Sequence, residues 1–117
     1  MIRLQNIFYT VPDVEQVAAF YRDAFGMAVK FQDGERWVQF NLDGRNFAIG
    51  APSEAPEGAV GATAVLEVED IDGLRETIVS HGGRILSERD MGSHGRTLAF
   101  ADPAGNILQL FQRSPGG

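Results

Sequence analysis

The segment Val11–Val14, with the sequence VPDV, ends a strand-like run and begins a helix-like one. The segment Val68–Ile71, VEDI, does the same 57 positions later, counting from Asp13 to Asp70. After each segment the chain runs through a glycine, further strand-like blocks and a Gly-containing turn before a closing apolar strand. A short repeated unit buries too little apolar surface alone and usually pairs with its copy. The sequence therefore predicts two half-length units, with function expected in a cleft between them.

The first unit follows the order β-α-β-β-β. Apolar and polar residues alternate loosely over Ile2–Val11, as in a half-buried strand, and Asp13 is a candidate helix N-cap. An apolar stripe at three- and four-residue spacing then predicts a helix that ends at Gly26. Three further strands separated by Asp-Gly turns are predicted at Met27–Phe31, Arg36–Leu42 and Asn46–Ile49.

The second unit repeats this order after residues 51–61, whose Pro, Ala and Glu content and lack of periodicity indicate a linker. Asp70 is expected to cap a helix. The predicted elements are a strand Thr63–Val68, a helix Ile71–His81, and strands Arg84–Ser87, Arg96–Ala101 and Ile107–Gln112, with a loop at Met91–Gly95. We expect one domain over residues 1–117, with module one at 1–50, module two at 62–113 and a frayed tail at 114–117.

The composition excludes several classes of function. Ten Lys and Arg against 16 Asp and Glu give a net charge of −6 without a basic run, so nucleic acid and anionic membranes are not expected partners. The absence of cysteine excludes a thiolate metal site and a Cys nucleophile. The polar N-terminus is unlike a signal peptide, and no apolar run reaches the roughly 18 residues of a membrane span. A cytoplasmic protein is expected.

Three segments resemble the vicinal oxygen chelate superfamily, the glyoxalase, bleomycin resistance and dioxygenase-like proteins. They are VPDV at Val11–Val14, FYRDAFGM at Phe20–Met27 and DPAGNILQL at Asp102–Leu110. This resemblance implies an α+β fold, in which two tandem βαβββ modules form cupped mixed sheets around a cleft, commonly in a homodimer. It implies little about the reaction, because this fold carries unrelated activities.

The same resemblance identifies four positions where enzymes of the superfamily hold one divalent metal ion. Here those positions carry Asn6 and Thr63 in place of two His residues, Gln109 in place of Glu, and Ala48, which has no donor atom. These side chains offer no anion to offset a +2 charge, so no metal and no cofactor are expected. The loss resembles the drug-binding branch of the superfamily, whose members sequester bleomycin-like, mitomycin-like or enediyne-like compounds without transforming them.

Alternation along strands predicts which side chains face the cleft. In the strand Arg36–Leu42 the apolar residues share one face, which leaves Trp37, the only Trp, as a flat stacking surface on the other. For this residue the alternative is a core position, and for Phe8 and Phe111 it is simple filling of the cleft. The expected ligand-binding residues are Phe8, Trp37, Gln39, Asn41, Thr63, Glu67, His94, Arg96, Gln109 and Phe111.

Two of these residues could instead be catalytic. Glu67 stands among apolar strand positions, where desolvation would raise its pKa and make it a general base, and His94 lies on a Gly-flanked loop. The simpler alternatives are an exposed or Arg-paired Glu67 and a surface histidine. Arg96 either meets an anionic group or bridges to Asp90 or Glu88.

The leading interpretation is metal-independent binding and sequestration of a hydrophobic or aromatic small molecule, such as an antibiotic or natural product, by a homodimer. A different class is a lyase, isomerase or cyclase that uses Glu67 or His94, or a metalloenzyme with a displaced site. A third is an interaction or regulatory module with a filled cleft.

Overall fold

The structure, a computed structural model of the chain, describes residues 4–58 and 60–115. The chain divides into two compact units at the Gly61–Ala62 bond. Module one contains, in order, β1 (Ile7–Thr10), α1 (Val14–Phe25), β2 (Ala28–Asp33), β3 (Trp37–Leu42) and β4 (Arg45–Gly50). Module two contains β5 (Val65–Glu67), α2 (Arg75–Ser80), β6 (Arg84–Asp90), β7 (Arg96–Ala101) and β8 (Ile107–Gln112).

Each module is a four-stranded mixed sheet with the same strand order. The order is β1-β4-β3-β2 in module one and β5-β8-β7-β6 in module two. The first and last strands of each module run parallel, and the other neighbouring pairs run antiparallel. The predicted α+β class with two βαβββ modules is therefore confirmed.

The repetition extends to an irregularity in the sheets. In β2 the register shifts between Val29 and Phe31, and in β6 it shifts between Ile85 and Ser87. Both shifts lie in edge strands, where a β-bulge disrupts the ladder and discourages pairing with another chain. The two modules thus share this irregularity as well as their element order.

Helix α1 covers one face of the sheet in module one. Its N-cap is Asp13, whose Oδ1 accepts a hydrogen bond from the Gln16 backbone N–H at 3.1 Å, and its C-cap is Gly26, whose φ of 68° suits a residue without Cβ. From the helix, the buried ring of Tyr21 packs on Phe40 and Phe47, with ring centroids 6.4 and 5.2 Å apart. The apolar faces of β3 and β4 therefore form this core, and the opposite sheet face carries the other alternate residues.

Module two is built on a shorter helix. Ile78 of α2 is fully buried, as are Leu98, Phe100 and Leu108 of the sheet. The predicted helix Ile71–His81 is wrong in its bounds and its cap.

A 3₁₀ turn at Asp72–Leu74 precedes α2, and neither has a side-chain cap hydrogen bond. The Ile71 N–H donates to the Gln112 side-chain oxygen at 2.8 Å, so β8 satisfies one free backbone group at the start of this turn, where no side-chain cap from Asp70 forms. This partner lies far along the chain, which is why the local sequence pattern did not reveal it.

Other boundaries differ by a few residues. Strands β2 and β6 extend to Asp33 and Asp90, past the predicted Phe31 and Ser87, because their ladders continue through exposed polar residues. Strand β5 is shorter than predicted, and short 3₁₀ turns occupy Pro52–Glu54 in the linker and Gly92–His94 in the predicted loop. The predictions that fall on residues 1–3, 59 and 116–117, in the first strand, the linker and the tail, lie outside the described residues. No helix within residues 4–58 and 60–115 is long and apolar enough to cross a membrane.

Candidate functional site

In module one, the candidate site lies on the sheet face opposite α1. Because Phe40 and Phe47 point toward α1, the alternate residues of their strands point to the other side. Strand register places Phe8 beside Ala48 and Ala48 beside Gln39, while Trp37 lies beside Gly50. We call this set, Phe8, Trp37, Gln39, Ala48 and Gly50, the helix-free face of module one.

Two aromatic rings meet on this face. The Phe8 and Trp37 centroids are 4.9 Å apart and the ring planes are inclined by 55°. Both side chains are half-buried. A Cβ at Gly50 would lie 2.8 Å from the Trp37 Cε3 atom, so only glycine lets the indole lie this close to β4. The two rings thus present a partly accessible aromatic surface of the kind that stacks on planar ligands.

Gln39 is the polar member of the helix-free face. Its side-chain oxygen accepts a hydrogen bond from the Trp37 indole N–H at 3.1 Å, and the residue is only 4% exposed. Asn41, another predicted site residue, is exposed, and its side-chain oxygen accepts from the Gly44 backbone N–H at 2.8 Å. Asn41 therefore holds the β3–β4 turn, whereas Gln39 accompanies the aromatic pair.

In module two, strands β5 and β8 pair as β1 and β4 do in module one, but they carry different side chains. Gln109 lies beside Val65, and Phe111 lies beside Glu67. The Glu67 carboxylate accepts a hydrogen bond from Arg113 Nε at 2.8 Å, and that carboxylate raises the pKa of the Arg113 guanidinium. The Glu67 side chain is 53% exposed, so the expected desolvation is wrong and the simpler alternative, pairing with an arginine, is what the structure contains.

An open depression of about 320 Å³ lies at the end of β8. Its lining residues are Ser93, His94, Phe111, Arg113 and Ser114. The loop that carries His94 is fixed against the sheet, since a Cβ at Gly95 would lie 2.5 Å from the Gln112 carbonyl oxygen and 2.8 Å from Phe111 Cε1.

The depression thus brings together two predicted residues, His94 and Phe111. The sequence reasoning missed its other lining residues, Ser93, Arg113 and Ser114. The last two follow the final strand, where no periodic signal marks them, and Ser93 lies in the short 3₁₀ turn Gly92–His94, which the sequence predicts only as a loop.

Arg96 belongs to a different surface. Its guanidinium donates to both carboxylate oxygens of Asp72, at 3.1 and 3.2 Å, and lies 3.9 Å from Glu88. Arg75 of α2 bonds to the same two acids. Hydrogen bonds from Arg96 and Arg75 hold the pKa of Asp72 below its ordinary value, and the hydrogen bond from Arg75 does the same for Glu88. Arg96 therefore ties the sheet to the 3₁₀ turn that precedes α2, on the helix side of module two.

The side chains at the four metal-ligand positions do not fit a divalent ion. Ala48 is buried and has no donor, Asn6 donates its amide to Gln5, Thr63 is exposed outside β5, and Gln109 is half-buried. A methyl group, a hydroxyl and two neutral amides lack the imidazole or carboxylate donors that such an ion requires. Among the residues that the structure describes, no group of three or more His, Cys, Asp and Glu could hold a metal ion elsewhere.

Comparison with known proteins extends these observations. A family model described as the Glyoxalase/Bleomycin resistance protein/Dioxygenase superfamily matches residues 3–110. No curated protein sequence matches the chain significantly.

Three solved structures illustrate the similarity of fold. A glyoxalase-related enzyme from Fulvimarina pelagi superposes with a TM-score of 0.79 at 20% identity, covering 98% of this chain and 90% of its own. A lactoylglutathione lyase from Agrobacterium tumefaciens gives 0.76 at 19% identity, with 96% and 94% covered. The fosfomycin resistance protein FosX from Listeria monocytogenes, in complex with Mn(II) and a dihydroxypropylphosphonic acid, gives 0.78 at 20% identity, with 97% and 93% covered.

Proposed function

This chain belongs to the Glyoxalase/Bleomycin resistance protein/Dioxygenase superfamily, and on that premise we propose that it binds and sequesters a hydrophobic or aromatic small molecule without a metal ion. The observation that carries the proposal is the contact of Phe8 with Trp37, beside the buried amide of Gln39. Small-molecule sites typically combine apolar or aromatic walls with a few oriented polar groups. The helix-free face of module one offers both.

The donor chemistry supports a metal-independent mode of binding. The solved relative FosX contains Mn(II), but its 20% identity to this chain supports a shared fold only. In this chain the four matching positions provide no charged or imidazole ligand. Affinity would then come from burial of apolar ring surface, at about 25 cal/mol per Å² removed from water, together with hydrogen bonds to fixed amides.

The proposed ligand is an antibiotic or natural product of planar, uncharged character, and the proposed active form is a homodimer. A neutral ligand fits because the side chains directly beside Trp37 and Gln39 in the strand register are apolar, a glycine or the acid Asp33, and none of them is a cation. Light scattering coupled to gel filtration tests the dimer, with a monomer mass at micromolar concentration as the contradicting result.

Ligand binding can be tested by thermal shift on EDTA-dialysed protein with uncharged planar compounds of two to four fused rings. Compounds that stabilise the protein are then titrated calorimetrically against wild type and Phe8→Ala. We expect Phe8→Ala to weaken binding about tenfold or more, because stacking area is lost. The control is Val79→Ala, an exposed apolar truncation on α2 that should leave affinity unchanged. Equal affinity in wild type and Phe8→Ala would contradict the proposed location.

A second candidate function is supported by the depression in module two. Its lining includes the imidazole of His94, the ring of Phe111 and the guanidinium of Arg113, a set that could bind and protonate an anionic substrate. A lyase, isomerase or cyclase would use His94 or the neighbouring Glu67. Loss of a measured turnover in both His94→Gln and Glu67→Gln, with ligand affinity retained, would favour this enzyme over the binding protein.

A further inference from the structure

We propose that the helix-free face of module one selects aromatic ligands that carry a neutral hydrogen-bond acceptor oxygen on the ring system, such as aryl ketones, quinones or lactones. This inference rests on the proposed function and specifies its ligand class. The selecting group is the side-chain nitrogen of Gln39, whose orientation is fixed by Trp37.

The orientation follows from donor and acceptor chemistry. An indole N–H can donate a hydrogen bond but cannot accept one. The group 3.1 Å from Trp37 Nε1 must therefore be the Gln39 oxygen, and the carboxamide cannot rotate by 180° without placing two donors face to face. The Nε2 group, with two N–H donors, is consequently turned away from the indole.

The Nε2 group is also free to meet a ligand. Within residues 4–58 and 60–115, the side chain of Gln39 has one hydrogen-bond partner, the Trp37 indole. In the same residues, no fully buried side-chain nitrogen or oxygen lacks a partner. Although Gln39 as a whole is 4% exposed, its Nε2 atom must therefore keep contact with solvent.

The neighbours of Gln39 direct the acceptor of a ligand to this one place. In the strand register Gln39 lies between Ala48 and Phe31, and neither of these side chains can form a hydrogen bond. Trp37 lies between Gly50 and Asp33, whose carboxylate is paired with Arg36 and has no hydrogen to donate to a ligand. Because the two ring planes are inclined by 55°, a planar ligand that stacks on Trp37 would meet Phe8 at an angle, and in this position it would cover the Nε2 donors. Without an acceptor it would leave them unsatisfied, which is unfavourable in a partly buried site, whereas a ring carbonyl would replace the lost water.

The nature of the group predicts a neutral acceptor. Gln39 carries no charge, and carboxylate ligands are usually bound by Arg or Lys. The four residues that strand register places directly beside Gln39 and Trp37, namely Phe31, Asp33, Ala48 and Gly50, include no cation. A ketone, quinone or lactone oxygen matches a neutral N–H donor without requiring the removal of an ionic charge from water.

The test uses two probes of nearly equal shape, 9-fluorenone and fluorene, of which the first has a carbonyl group where the second has a CH₂ group. Calorimetric titration of the EDTA-dialysed protein should give an affinity for 9-fluorenone about tenfold or more above that for fluorene. Binding at this face is located by the ¹⁵N–¹H resonance of the indole, which is unique because Trp37 is the only Trp. That resonance should shift with 9-fluorenone.

Two variants remove the Nε2 donors of Gln39 and are designed to leave the fold intact. Gln39→Glu keeps an oxygen for the Trp37 N–H but replaces the Nε2 donors, and Gln39→Met removes both groups at similar volume. Each should abolish the preference for 9-fluorenone. The matched control is Gln16→Glu, the same amide-to-acid change at an exposed position of α1, which should retain the preference.

The outcomes are distinguishable. A preference for 9-fluorenone in wild type that both Gln39 variants lose supports the inference. Equal binding of the two probes in wild type, or a preference that survives in either folded variant, overturns it while leaving the proposed binding function intact. Failure of both probes to shift the Trp37 resonance overturns the inference and the proposed site together.

Discussion

At the scale of single residues, the aromatic surface of module one depends on a small neighbour. The Trp37 indole can lie against β4 only because position 50 has no side chain. Trp37 in turn has its N–H satisfied by Gln39, so a large, half-buried aromatic residue leaves no polar atom unpaired there. Adding a side chain at Gly50 or removing the amide of Gln39 would therefore disturb the Trp37 indole.

We predict that Gly50→Ala displaces Trp37. The added methyl would lie 2.8 Å from Trp37 Cε3, so the indole must move and its contact with Phe8 must change. The expected result is an altered Trp emission spectrum and a loss of about 1–3 kcal/mol in the free energy of unfolding, as for other overpacked sites. Urea denaturation followed by fluorescence measures both.

The control for this prediction is Gly73→Ala. There the nearest atom to the new methyl is the carboxylate oxygen of Asp70, at 2.9 Å, which belongs to an exposed side chain that can move aside. The control should have little effect on stability and none on Trp emission. An unchanged spectrum in Gly50→Ala would contradict the packing described for Trp37.

At the scale of elements, the two helices begin differently although their sequences look alike. Asp13 caps α1 through its side chain. After Asp70, by contrast, the Ile71 backbone N–H donates a hydrogen bond to the side chain of Gln112 in β8. The first helix start is therefore local, whereas the 3₁₀ turn before the second helix is joined to the sheet at Ile71.

Substitution of the two aspartates should show this difference. We expect Asp13→Ala to lower the free energy of unfolding by about 1 kcal/mol, the usual effect of losing an N-cap. Asp70→Ala should change it by less than half as much, because its carboxylate makes no cap hydrogen bond. Chemical denaturation of the two variants side by side measures the difference, and equal losses would contradict it.

The four charged residues that join α2 to its sheet predict a dependence on pH. The network comprises Asp72, Arg75, Glu88 and Arg96, and its arginines lower the pKa of both acids below their ordinary values of 3.8 and 4.5. The folded state thus favours the charged carboxylates. Their stabilising effect is present above these ordinary values and is lost as the pH falls through the lower folded-state values.

We expect Glu88→Gln to reduce stability near pH 7 and to converge with wild type as the pH falls from about 5 toward 3. The exposure of these side chains makes the effect small and sensitive to salt. Urea midpoints measured across this range provide the test, with Glu76→Gln in α2 as a control outside the network. A difference from wild type that grows on acidification would have the wrong sign.

The elements also show where sequence reasoning succeeds. Helix α1 and strands β7 and β8 match their predicted bounds, because their apolar spacing and the glycine that ends α1 are local features. The ends of β2 and β6 were missed, since their exposed polar residues belong to the sheet only through hydrogen bonds to a neighbouring strand. The second helix was predicted too long because its first residues form a 3₁₀ turn, and the Ile71 N–H before that turn is satisfied from β8.

At the scale of the whole molecule, the sequence showed the repeat of two modules. It did not show which side chains each module brings together. Alternation along β3 correctly indicated that Trp37 and Gln39 share a face, and the structure adds the hydrogen bond between them. Arg96 and Glu67 could not be placed this way. Their positions depend on Asp72 and Arg113, distant partners that no local pattern identifies.

The measurement that tests metal-independent binding most directly combines elemental mass spectrometry of dialysed protein with thermal shift on the same sample. The protein is heated with and without divalent ions, in the presence and absence of planar aromatic compounds. We predict no stoichiometric metal, together with stabilisation by an aromatic compound that added ions do not change. One metal ion per chain, or strong stabilisation by a single divalent ion, would contradict this account.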